Sequence, residues 1–433
     1  MQAETIFALS SGAARSGVAV IRVSGPAVPQ VLRLFVERPV RPREAALRPI
    51  RDPRDGSPID HGLVLHFPAP HSFTGEDVVE FQIHGSLAVM RQLLARLGDV
   101  PGLRPAQAGE FTRRAWLAGR MDLLEVEALS DTLAAETELQ RKLALTGSRR
   151  LRAKCAEWRE RLVDLRAVVE AQIDFGDEGD VIDRLDSDVQ QDILFLIDDL
   201  RKVAGTIRNG QRLRTGFRVA ILGAPNAGKS SLLNALADRD VAITSPIPGT
   251  TRDVVETVVD LDGLPVIFMD TAGLREAPES DIEAEGMRRA RSAGDSADLV
   301  IWASSIDSPT EPPASDYLLV QTKSDLAARP LSGLAVSSLT GAGIDSLAKE
   351  IHRRAGLDMA DHGFEHWIAH ERHAHCLLVA ANALESAGLG GALTLDLRAE
   401  ELRLACDALD SLVGRISSDE LLGAIFSRFC IGK

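Results

Sequence analysis

Gly223-Ala-Pro-Asn-Ala-Gly-Lys-Ser230 follows the apolar run Arg218–Leu222 and precedes a helical segment, Ser231–Leu236. The pattern GxxxxGK[ST], placed between a strand and a helix, is a phosphate cradle. Its glycines let backbone N–H groups converge on phosphate oxygens, Lys229 reaches the β- and γ-phosphates, and the Ser230 hydroxyl ligates Mg²⁺. Asn226, Ala227, Gly228 and Ser231 complete the loop around a nucleoside triphosphate.

Four further segments follow in order. Gly249-Thr250-Thr251-Arg-Asp253 lies where a switch segment belongs. Asp270-Thr271-Ala272-Gly273 ends the apolar run Pro265–Met269, putting an acid near Mg²⁺ and the Gly273 N–H beside the γ-phosphate. Thr322-Lys323-Ser-Asp325 ends the strand Tyr317–Gln321. The Asp325 carboxylate accepts from guanine N1–H and the exocyclic amine, donors that adenine does not offer in that arrangement. The backbone of Ser337-Ser338-Leu339-Thr340 is placed to read guanine O6. Together the five segments resemble the Ras-like GTPases.

Two positions depart from that pattern. Thr322 stands where such domains usually carry asparagine, so no amide is present to bond guanine N7 and brace the phosphate loop. Specificity is expected to survive through Asp325, with lower affinity. Leu274 stands where Ras-type enzymes place a water-orienting glutamine. Another polar group must then act, and Glu276, Glu279, Asp281, Glu283 and Glu285 are the candidates. The Asn226 amide oxygen is suited to a monovalent cation at the phosphates, supplying charge that an arginine finger supplies elsewhere.

The chain has 433 residues, which predicts about three domains. Hydrophobic residues at 45% and charged residues at 26% are ordinary for a globular protein. A formal charge of −14 argues against a generally basic nucleic-acid coat. Four scattered cysteines without a CxxC pair predict neither a disulfide scaffold nor a zinc ribbon, and fit a reducing cytoplasm. No signal peptide or membrane span is expected.

Residues 1–118 read as α+β, with strands at Gly17–Val23, Gly62–Phe67 and Asp77–His84, a helix near Ser86–Leu97, and a Pro/Gly-rich stretch at Pro39–Pro70. Residues 119–214 read as helical, with stripes at Leu162, Leu165, Val169, Ile173 and at Leu194, Ile197, Leu200, Val203, Ile207. Arg141–Arg161 carries a net charge of +6, whereas Glu170–Asp199 holds eleven acids against Arg184. These runs are read as solvated helix faces, or, for the basic one, as a contact to RNA phosphate. Residues 215–356 alternate strands and helices, a doubly wound α/β unit, and helical periodicity returns over 357–433. Ser417 and Glu420 form a capping box for the last helix.

Three further stretches carry a more specific resemblance: Gly17-Val-Ala-Val-Ile-Arg-Val-Ser-Gly25, Phe73-Thr-Gly-Glu-Asp-Val-Val-Glu80 with Ile83-His-Gly85, and Ala108-Gly-Glu-Phe-Thr-Arg-Arg-Ala-Trp-Leu-Ala-Gly-Arg120. With the terminal Phe429-Cys-Ile-Gly-Lys433 they resemble the MnmE (TrmE) family of tRNA-modification GTPases. The resemblance implies a multidomain protein: an α+β folate-binding N-terminal domain that dimerises, an all-α helical domain, and a Ras-like α/β P-loop GTPase domain inserted into it. It implies a homodimer, potassium-activated GTP hydrolysis, and a heterotetramer with the FAD- and NADH-dependent partner MnmG (GidA). That assembly adds an aminomethyl or carboxymethylaminomethyl group to C5 of the wobble uridine of tRNA. The methylene comes from 5,10-methylene-tetrahydrofolate, for which 5-formyl-tetrahydrofolate is a binding analogue.

By position, the resemblance puts Arg22, Glu80, Arg120 and Lys433 at the folate. It puts Asn226, Ser245, Ile247 and Thr250 at K⁺, and Ser230 and Thr251 at Mg²⁺. Glu283 falls on the catalytic glutamate, and Cys430 on the near-terminal cysteine. The rival reading is a GTP-gated switch in ribosome assembly, which needs the nucleotide motifs but neither the folate-type segment nor the terminal pentapeptide. A metal hydrolase built on His366, His370, His373 and His375 lacks the HExxH spacing.

Overall fold

The computed structural model describes residues 4–174, 179–239, 242–243, 256–269, 297–312, 316–327, 333–355, 369–389, 394–414, 419–427, 429 and 431–432. The chain divides into two compact units, Met1–Ser130 with Asp410–Lys433, and Asp131–Leu409.

The first unit is built on strands β1 (Thr5–Leu9), β2 (Ser16–Ser24), β3 (Ala46–Arg51), β4 (Pro58–Phe67), β5 (Val78–Gly85) and β6 (Leu103–Pro105). They form one sheet in the order β3-β4-β5-β2-β1-β6. Alternation decides its two faces. Ile21 and Val23 on β2, and Val79, Phe81 and Ile83 on β5, point into a core shared with helices α1 (Val28–Phe35) and α2 (Leu87–Gly98). The intervening Arg22 and Glu80 therefore face the other way. Strand β3 lies inside the stretch read as Pro/Gly-rich connection; it forms the sheet edge, where Pro49 is tolerated.

The end of the chain returns to this unit. Leu422, Phe426 and Phe429 pack with Leu123 and Val126, and Trp116 joins them through the Phe426 ring. Ile431 bridges to Ala108, and the Ser10 hydroxyl donates to the Gly432 carbonyl at 2.9 Å. Gly432 has φ +107°, and a Cβ there would lie 2.0 Å from the Leu9 carbonyl oxygen, so only glycine lets the tail approach this closely. Ser417 of the expected capping box lies outside the described residues.

The second unit begins with helices α5 (Glu138–Lys142), α6 (Ser148–Asp174), α7 (Gly179–Ala204) and α8 (Ile207–Thr215); α3 (Glu110–Leu117) and α4 (Leu123–Ala134) precede them in the chain. The helix stripes are partly as read. Leu162, Leu165 and Val169 are buried, whereas Ile173, near the end of α6, is exposed; Leu194 is exposed because the buried face of α7 is centred on Ile193, Leu196 and Leu200. The charge runs are partly consumed by each other: Lys154 and the Trp158 indole N–H both reach Asp199, and Arg161 pairs with Asp192.

The α/β part has strands β7 (Phe217–Gly223), β8 (Ala242–Ile243), β9 (Glu256–Leu261), β10 (Leu264–Met269), β11 (Leu299–Ser305) and β12 (Leu318–Thr322), ordered β12-β11-β7-β10-β9-β8. β10, β7, β11 and β12 are mutually parallel, and β9 is antiparallel. The chain enters and leaves this sheet close to the same place, since Arg212 donates to the Ala355 carbonyl and Arg214 to the Ala369 carbonyl. Arg214 also pairs with Asp131, which accepts a 2.7 Å contact from His370. Among the described residues no helix is long and apolar enough to cross a membrane.

In the first unit Glu110 opens α3 and is gripped by Arg104 and Arg114. Burial pushes its carboxyl up, but hydrogen bonds from Arg104, the Gln107 N–H and Arg114 outweigh burial and leave it at about 2. A lowered carboxylate adds stability that is full above its unfolded value and is lost as pH falls through the folded one. Glu110→Gln should therefore destabilise this unit at neutral pH. The gap to the parent protein should close as pH falls from 4.5 toward 2, as read by denaturant unfolding at each pH.

Candidate functional site

The phosphate-loop motif and the Thr322–Asp325 and Ser337–Thr340 segments lie at the carboxyl-terminal ends of the parallel strands, the edge where open α/β sheets bind ligands. β7 ends at Gly223, whose Cβ would lie 2.2 Å from the Ala303 carbonyl oxygen. Glycine at the first motif position thus lets β7 and β11 pack as neighbours before the loop turns. Asn226 holds a left-handed backbone, φ +63°, within the loop. Helix α9 (Lys229–Arg239) then starts at the motif lysine, so its first-turn N–H groups face the loop. Lys229 Nζ donates to the Gly223 and Ala224 carbonyls at 3.0 and 2.9 Å, which holds the ammonium over the loop. Ser230 and Ser231 are exposed on the first turn.

The Thr322–Asp325 segment is held to its neighbours by hydrogen bonds. The Thr322 hydroxyl, 2% exposed, donates to the Ala227 carbonyl at 2.6 Å. The expectation that threonine cannot brace the phosphate loop is therefore corrected: one short hydroxyl bond does it in place of an amide. Lys323 takes a left-handed φ of +59° and its ammonium meets Asp307 at 2.7 Å. The Ser337 hydroxyl donates to Asp325 Oδ1 at 2.5 Å and accepts the Thr340 N–H. The segment Leu334–Ser337 runs beside β12, with Gln321 and Ser324 N–H groups donating to Leu334 and Val336 carbonyls. This pins Ser337, Ser338 and Leu339 next to Asp325; Leu339 is 85% exposed. Ser245, Ile247, Thr250, Thr251, Asp270, Thr271, Ala272, Gly273 and Glu283 lie outside the described residues.

A second polar cluster lies on the first unit's sheet. Arg22 and Glu80 are register partners on β2 and β5, joined at 2.8 Å. The Arg22 guanidinium sits 5.2 Å from the Phe73 ring centre and 5.7 Å from that of Phe111. Ser24, Thr74 and Glu76 form a hydrogen-bonded string beside it, and Arg114 closes on Glu76. The Arg120 stem lies next to Gly75, the residue between Thr74 and Glu76. Ser24, Thr74, Glu76 and Arg114 were not singled out from sequence, although all fall inside or beside the quoted stretches. Lys433 and Cys430 lie outside the described residues. The histidine group is also accounted for in part: His370 is bonded to Asp131, and His373 is buried against it at 5.0 Å between ring centres.

The chain matches two family descriptions, the MnmE helical domain over residues 123–430 and the GTP-binding protein TrmE N-terminus over residues 5–120. It is similar to curated proteins described as tRNA modification GTPase MnmE. One from Rhizobium johnstonii is 47% identical over 100% of both chains. One from Beijerinckia indica is 46% identical over 99% of this chain and 96% of its own length. One from Brucella canis is 45% identical over 99% of this chain and 98% of its own. With a fold that holds the phosphate loop and the Thr322–Asp325 segment at one sheet edge and kinship that runs from end to end, the chain belongs to the MnmE family of tRNA modification GTPases.

Proposed function

We propose that this chain binds GTP at the β7–β12 edge, hydrolyses it, and uses the cycle to drive modification of the wobble uridine in tRNA. The observation that carries the reading is the bonded unit of phosphate loop and base-reading strand end, Thr322 to Ala227 and Ser337 to Asp325. Asp325 Oδ2 remains to accept from guanine N1–H and the amine, and the α9 amino terminus with Lys229 receives the phosphates.

Mg²⁺ suits Ser230, an exposed residue in the first turn of α9, together with Thr251; K⁺ suits Asn226, a loop residue with a left-handed backbone, with Ser245, Ile247 and Thr250. These ions supply positive charge to the phosphates. Glu283 is assigned to positioning the attacking water, since Leu274 offers no polar group. The N-terminal cluster suits a folate: Arg22, Glu80 and Arg120, joined by Lys433, offer charge and hydrogen-bonding groups, and Phe73 and Phe111 offer aromatic surface. A bound tetrahydrofolate carries the one-carbon unit. Homodimerisation through residues 1–118, a G domain at 215–356 between helical segments 119–214 and 357–433, association with MnmG, and a cytoplasmic location complete the proposal.

Nucleoside mass spectrometry tests the reaction. Cells lacking this protein should lose the C5-aminomethyl-type modification at the wobble uridine. Intact wobble nucleosides with altered ribosome profiles would favour the ribosome-assembly switch.

Cation dependence tests the potassium site. GTP turnover should be much faster in potassium than in sodium at equal ionic strength, and Asn226→Ala should abolish the difference while nucleotide binding persists. Equal rates in both salts would remove K⁺ from the mechanism.

Replacement of Glu283 by alanine or glutamine should lower kcat by about 100-fold, within the range of positioning and general-base effects, with nucleotide affinity little changed. Glu279, Asp281 and Glu285 belong in the same series. Loss of activity at one of these with Glu283→Ala fully active would move the role to that neighbour.

A further inference from the structure

Hydrogen-bond counting at Thr322 says how much of the base this pocket reads. A hydroxyl carries one proton. At Thr322 that proton goes to the Ala227 carbonyl, at 2.6 Å, in a side chain only 2% exposed. A carboxamide, with two N–H protons, could serve the loop and a base together; the threonine cannot. The Ser337 hydroxyl is likewise committed, its one proton going to Asp325, and the Lys323 ammonium is drawn to Asp307. Asp325 itself, as a carboxylate, only accepts. Guanine N7 is an acceptor, and neither the Thr322 nor the Ser337 hydroxyl has a proton left to give it.

We propose that Thr322 makes the pocket blind to guanine N7. The Watson–Crick edge of the base is read through Asp325 and the Ser337–Leu339 backbone, and the five-membered-ring edge is left unread. Thr322 is then a specificity-determining residue whose one hydrogen bond shapes the phosphate loop. The protein should accept guanine nucleotides lacking N7 as well as it accepts GDP and GTP. This inference rests on the nucleotide-site reading above, and the experiment separates the two.

The full chain is titrated with a fluorescent GDP, displaced in turn by GDP, 7-deaza-GDP and ADP. GDP and 7-deaza-GDP should bind within about twofold of each other, because a hydrogen bond that is never made cannot be lost; one that is made contributes about fivefold. Thr322→Asn should create a preference for GDP over 7-deaza-GDP of about fivefold. Thr322→Val removes the brace and should weaken both nucleotides by one common factor. A parent protein that binds 7-deaza-GDP fivefold or more weakly than GDP would overturn the proposal, as would a Thr322→Asn variant that still ignores N7. Displacement by ADP as effective as by GDP would instead overturn the guanine-reading assignment of Asp325.

Discussion

Four parallel strands that end at one edge impose the constraint on which the nucleotide site depends. β7 delivers the glycine-rich loop, β12 delivers the Thr322–Asp325 turn, and β11 lies between them. Strand pairing sets the spacing of these ends, but the loops beyond it need their own fastening. The buried bond from Thr322 to Ala227 provides this, linking the turn after β12 to the loop after β7. Breaking it would strand the Ala227 carbonyl in a buried position, at a typical cost of about 1–3 kcal/mol. The loop and the turn are thus preorganised relative to each other by contacts internal to the protein.

The N-terminal cluster is organised by the opposite kind of physics. Its members are charged, and the sheet's alternation puts them on the face away from the apolar core. Arg22 is held by a carboxylate and two aromatic rings, while Glu76 and Glu110 share Arg114. Breaking one partner of a desolvated pair leaves an uncompensated charge, so such networks hold their members in fixed positions more than they add net stability. Fixed polar groups beside aromatic surface are what a flat, polar ligand requires.

Much of the α/β part was legible because phosphate chemistry demands particular residues at fixed spacing. The strands carrying Gly223 and Thr322 fell within a residue or two of their read positions. The function of Thr322 was not legible, because a hydroxyl's reach depends on how closely a loop 95 residues away approaches it. Strand β3 escaped because Pro49 reads as a breaker until its place at a sheet edge is known. Arg22 and Glu80 look like surface charge in isolation; only register pairing on adjacent strands makes them a unit. Leu194 was placed on a buried stripe by period alone, although the face of α7 that meets its neighbours is rotated away from it.

The proximity of the two ends of the α/β part, through Arg212 to Ala355 and Arg214 to Ala369, bears on how the helical body can assemble. Helix α7 and the helix Glu371–Leu389 pack closely, with Gly388 set against Ile193, yet a whole folded sheet separates them along the chain. Closing so long a loop from a disordered chain carries an entropic cost that grows with its length. Once the sheet has folded, its ends already lie side by side, and the effective loop shrinks to the short segments flanking them. The folded α/β part thereby acts as a short tether that lowers the entropic cost of bringing the flanking helices together.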